Sequence, residues 1–149
     1  MSHQDAGHYA TKHPVGSVPD PKIVAALQPK ASGSSITCAV AHEIARKLNI
    51  APAQVGMTID LLEYRIEKCQ LGLFGYHPHK KIVAPAETVS QALTDALAPA
   101  RKLGRLPCAE TWALADTMGI TKLAIAAACE AFQIKITPCQ LGAFSPKKA

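Results

Sequence analysis

Apolar residues return every three or four positions between Cys38 and Leu48, where Val40, Ala41, Ile44, Ala45 and Leu48 mark one face of a helix. Thr37 in front of it is a good N-cap. The same spacing recurs at Trp112, Leu114, Ala115 and Met118, with Pro107 near the first turn, where its missing N–H costs nothing. Shorter helices are predicted from Lys22 to Leu27 and from Val89 to Leu97, and Pro29 and Pro99 are expected to end them. Each half then predicts a third helix, from Pro52 to Glu63 and from Lys122 to Phe132. The β-branched Ile66, and Ile134 to Thr137 in the second half, predict one short strand after it.

This parallel is an internal duplication. Cys69-Gln70-Leu71-Gly72 returns as Cys139-Gln140-Leu141-Gly142, and residues 24–74 slide onto 94–144 without a gap. Cys38/Cys108, Ala39/Ala109, Ala45/Ala115, Ile50/Ile120, Ile66/Ile136 and Phe74/Phe144 are identical pairs at that offset. Asn49 and Gly119 share one position and both accept a left-handed backbone, so a tight corner belongs there in each copy. The expected organisation is a flexible arm at 1–19, a first repeat at 20–76, a linker at 77–86 and a second repeat at 87–149. Gly72 and Gly142 are expected to reverse the chain, with Leu71, Phe74, Leu141 and Phe144 returning to the core.

Each repeat is small for an independent core, so each should gain stability by packing on its twin. Abundant Ala and only 5% aromatics favour closely packed helices over a sheet, so the fold class is mainly α. The net charge of +5 is compatible with an anionic partner without demanding one. The polar N-terminus and the lack of any apolar run of membrane-span length lead us to expect a soluble cytoplasmic protein with no membrane contact. Its five Cys are then expected to be thiols.

The two corners resemble the helix-turn-helix family, whose pattern has Ala fifth, Gly ninth and apolar residues fourth, eighth, tenth and fifteenth. A window from Ala41 supplies Ile44, Ala45, Leu48, Asn49, Ile50 and Val55; one from Thr111 supplies Leu114, Ala115, Met118, Gly119, Ile120 and Ile125. Copy one departs from it at Asn49. The resemblance implies two tandem helix-turn-helix, winged-helix-like repeats, each three helices plus a short strand and turn. It also implies a transcription-regulator-like protein that places the third helix in the major groove of double-stranded DNA.

The residues available for reading bases are few. Of Ala51, Pro52, Ala53, Gln54, Gly56 and Met57, and of Thr121, Lys122, Leu123, Ala126 and Ala127, only Gln54 and Lys122 have the usual chemistry, while Asp60 and Glu130 would face phosphates unfavourably. Contacts would therefore run mainly to backbone phosphate, through Lys68, Lys80, Lys81, Lys122, Lys135, Lys147 and Lys148. A protein-interaction module, or a homodimer, built on those bland third helices is the alternative. A third reading makes Cys38, Cys69, Cys108 and Cys139 a metal or redox site, although no CxxC pair occurs and no His recurs with the repeat. Cys129 reads as core. No nucleophile–base set, phosphate loop or cofactor motif points to catalysis, so a non-enzymatic protein without a cofactor is expected.

Overall fold

A computed structural model of the chain describes residues 7–143. Helices dominate, and the second half repeats the first at a 70-residue offset. The first half contains α1 (Pro21–Leu27), β1 (Ser35–Thr37), α2 (Cys38–Leu48), α3 (Pro52–Leu61) and β2 (Arg65–Glu67). The second contains α4 (Gln91–Leu103), β3 (Arg105–Leu106), α5 (Cys108–Met118), α6 (Lys122–Ala131) and β4 (Lys135–Ile136). Even single bonds recur. The Ile50 and Ile120 N–H groups donate to Ala45 and Ala115 at 3.0 Å, and those of Gly72 and Gly142 donate to Cys69 and Cys139 at 2.9 and 3.0 Å.

Local chemistry sets these elements. The Thr37 hydroxyl accepts the Val40 N–H at 3.3 Å and starts α2, while Ser90 and Thr121 start α4 and α6 in the same way. Asn49 and Gly119 take the left-handed conformation that turns the corner, with φ of 54° and 67°. Three residues join α2 to α3 and α5 to α6, and the axes of the latter pair bend by 114°.

Several expectations need correction. Pro99 does not end its helix: α4 runs through it to Leu103 and stops at Gly104, where φ is 78°. Pro99 and the Asp95 carbonyl it leaves without an N–H partner lie on exposed residues, so water can serve that carbonyl. Each half has two strands rather than one, because Ser35–Thr37 and Arg105–Leu106 pair parallel with the strands that follow the third helices. A wing needs a pair of antiparallel strands, whereas both strand pairs among the described residues are parallel and the antiparallel bridge between Ser32 and Ser35 lies before α2.

Residues 9–12, expected in a flexible arm, form a short 3-10 turn with Tyr9 buried against the first half. The N–H groups of Tyr9 and Ala10 donate to the Glu63 carboxylate at 2.9 and 3.1 Å. The expected linker is docked as well. Val83 is buried, the N–H groups of Ile82 and Val83 donate to the Gly72 carbonyl, and that of Ala86 donates to Ala127.

The repeats exchange their exits. The first core gathers Ile23, Leu27, Ile36, Ile44, Val55, Ile59 and Ile66, and Leu141 and Ala143 of the second repeat complete it. The second core gathers Leu93, Leu97, Leu106, Ile125 and Ile136, and Cys69, Leu71 and Val83 complete it. Leu71 and Leu141 thus return to a core, but to the twin's. Each is 1% exposed, and full burial of a Leu contributes about 1.5–3 kcal/mol. Phe144 lies outside the described residues.

Candidate functional site

The exchanged turns determine what the third helices can offer. Gly56 in α3 lies so close to the Leu141 backbone that an added Cβ would collide with the Leu141 carbonyl. Its counterpart in α6, Ala126, is fully buried. Neither is exposed as the sequence led us to expect. Asp60 is buried too, and its Oδ2 accepts from His13 Nε2 at 2.8 Å and from Lys12 Nζ at 3.1 Å. Burial raises its pKa, against the opposing pull of His13 and Lys12. Lys12 also donates to the Gly142 carbonyl at 3.1 Å, so one side chain ties the segment before α1 to α3 and to the exchanged turn.

The predicted nucleic-acid residues are spread over several elements. Gln54 is exposed in the first turn of α3, Lys68 follows β2 and Lys135 lies on β4, both exposed, and Lys80 is exposed before β3. Lys81 is spent on Glu130 at 3.1 Å. Lys122 opens α6 with its ammonium 4.6 Å from the centroid of the Trp112 ring. Lys147 and Lys148 lie outside the described residues.

Cys38, Cys69, Cys108 and Cys129 are buried as neutral thiols, and Cys139 is half-buried. Burial pushes the Cys38 thiol up to about 12, while the Gln70 backbone N–H opposes it and the thiols of Cys69, Cys139 and Cys108 push the same way. Burial likewise raises Cys69 and Cys108, and carries Cys129 to about 11. Such thiols are poor nucleophiles. Among the described residues no group of three or more His, Cys, Asp or Glu is arranged to hold a metal ion.

The feature that sequence reasoning passed over is the seam between the repeats. His42 in α2 and Trp112 in α5 occupy the same position of the duplicated unit, and their rings meet with centroids 4.3 Å apart at 43°. Equivalent residues meet beside the axis that relates two units, and the reciprocal exchange of Leu71 and Leu141 makes that axis two-fold, so a pseudo-dyad passes near these rings. Beside them lies a groove of about 470 Å³, lined by Ala39, Ala45, Ile50 and Pro52 with Glu43, Arg46 and Gln70. Burial, and then Lys122, hold the His42 imidazole down to about 4, so it is neutral at physiological pH. The Trp112 Nε1 is buried and has no hydrogen-bond partner among the described residues. One sequence signal was available: a planar ring stands at position 42 in one copy and at its equivalent, 112, in the other.

No protein-family model, curated protein or solved structure matches this chain.

Proposed function

We propose that the chain is a small non-enzymatic regulatory protein of the interaction class. Two helix-turn-helix-like units are fused into an intramolecular pseudo-dimer, and their third helices serve as association surfaces. The corners support the helix-turn-helix reading: three-residue connections, left-handed residues at 49 and 119, and a bend of 114° between α5 and α6. Burial of the third helices under the exchanged turns carries the association reading. Val55, Gly56, Thr58, Ile59 and Asp60 are buried in α3, as are Ile125, Ala126, Ala128 and Cys129 in α6.

Placement of the helix starts argues the same way. Pro52, the first residue of α3, lines the groove beside Trp112, and Lys122, the first of α6, lies over that same ring. Paired reading helices need about 34 Å between half-sites, whereas these two N-termini converge on one side chain. An outward apolar face remains at Leu123 and Ile82, 43% and 50% exposed, which both approach Gly72.

Contact with DNA backbone is the second reading. Lys68, Lys80 and Lys135 favour it, being exposed and forming no ion pair among the described residues. A titration with random-sequence duplex at low ionic strength separates the two. The interaction reading expects no complex; a complex that weakens steeply with added salt would overturn it and establish the second.

A further inference from the structure

The groove at the seam has capacity that the protein leaves unused. Its walls are apolar except for a few groups, and its volume of about 470 Å³ falls in the range of small-molecule sites. Trp112 Nε1 has no acceptor, and the Gln70 side-chain amide makes no hydrogen bond among the described residues. The Arg46 guanidinium forms no salt bridge there, because the one carboxylate in the wall, Glu43, is held by Lys47 at 2.9 Å. With Lys122 beside Trp112, the available charge is positive. A donor-rich, cationic slot walled by two rings suits a flat guest with an anionic edge.

We propose that this groove binds a planar aromatic carboxylate, its ring stacked at the His42–Trp112 pair and its carboxylate met by Arg46 and Gln70. Neutral His42 offers the guest a ring face without adding a further charge to desolvate. The guanidinium fork matches a carboxylate in two parallel hydrogen bonds, which an ammonium does not.

The duplication sets the stoichiometry. At the image of this groove across the pseudo-dyad, Arg46 is replaced by Asp116 and Pro52 by Lys122. Gln140, the image of Gln70, spends its amide on the Cys108 sulfur at 3.4 Å. The image therefore holds a carboxylate where the groove holds its guanidinium, and its amide is occupied. One site per chain follows, although the scaffold occurs twice.

The probe is naphthoate, with naphthalenemethanol as the uncharged control and cyclohexanecarboxylate as the non-planar one. Trp112 is the sole tryptophan, so a single indole N–H resonance reports on the site. The expected result is a saturable shift of that resonance at one equivalent of naphthoate, with binding of both controls at least about tenfold weaker. Arg46→Gln, on an exposed position where folding is not at risk, should weaken naphthoate about tenfold, and Asp116→Asn should leave it unchanged. No shift with naphthoate, equal binding of the uncharged control, or unchanged binding by Arg46→Gln would each overturn the proposal. The proposed interaction role is independent of this test, since it rests on the third helices and not on the groove.

Discussion

The two repeats share one plan in their cores, and they part company at the ring contact where they meet. Core positions keep their volume: Leu27 and Leu97, Ile66 and Ile136, and Leu71 and Leu141 are identical pairs, all buried. At the seam three pairs have diverged, His42 against Trp112, Arg46 against Asp116 and Pro52 against Lys122, while Ala39 and Ala109, Ile50 and Ile120, and Gln70 and Gln140 stay identical. In a dimer of identical subunits an axis residue must suit a copy of itself. Fusion into one chain removes that constraint, and here the result is an aromatic contact with a groove open on one side only. Packing requires the repeats to stay alike inside, and the pseudo-dyad lets them become different outside.

The close approach of Leu141 to α3 is the most sensitive point of the comparison. Gly56→Ala places its methyl against the Leu141 backbone, which cannot swing aside as a flexible side-chain end would. We expect a loss of about 3 kcal/mol or more in urea unfolding. The reverse change at the twin position, Ala126→Gly, should cost about 1 kcal/mol for helix propensity plus a small cavity term. Similar losses from the two changes would mean that the exchanged turns pack alike.

The straps before each repeat give the next contrast. Lys12 and His13 meet the buried Asp60, whereas Lys81 meets Glu130 in a pair with side chains 51% and 27% exposed. Asp60→Asn should cost about 1–3 kcal/mol and release residues 7–13 to trypsin, because it unpairs a buried carboxylate's partners. Glu130→Gln should cost less than about 1 kcal/mol, as expected of a solvated pair. Equal effects would remove the distinction between a buried and a surface strap.

Acid separates the repeats most gently. His42 has a folded pKa near 4 against an ordinary value of 6.5, so the unfolded chain binds the extra proton first. Its contribution is fully present above pH 6.5 and is lost as pH falls toward 4. Trp112, at the same place in the other repeat, does not titrate. A His42→Gln variant should therefore show a flatter stability profile between pH 6.5 and 4 than the parent protein. An unchanged slope would show that His42 is not buried against Trp112.

Much of this plan was legible in the sequence, for identifiable reasons. The offset between the CQLG blocks located both repeats, and the Thr37 cap, Pro107 and the left-handed corners at 49 and 119 placed α2 and α5 at Cys38–Leu48 and Cys108–Met118. Strands β1 and β3 were missed because two or three residues, with one buried side chain each, cannot display an alternating pattern. Pro99 misled because helix rules count its missing N–H, not whether the orphaned carbonyl is wet. The exchange of turns was invisible in principle. Periodicity shows that Leu71 seeks a core, and two near-identical cores answer that description equally. The groove escaped because Trp112 was read only as part of an apolar helix face, when its equivalence with His42 marks the axis.

The exchange is the claim on which the rest depends, and hydrogen exchange on Leu141→Ala tests it most directly. The substitution removes a side chain that follows β4 in the second repeat yet fills the first core. It should cost about 2–5 kcal/mol, with amide protection falling in α2 and α3, residues 38–61, and retained in α5 and α6. Protection lost in α5 and α6 while α2 and α3 stay closed would contradict it.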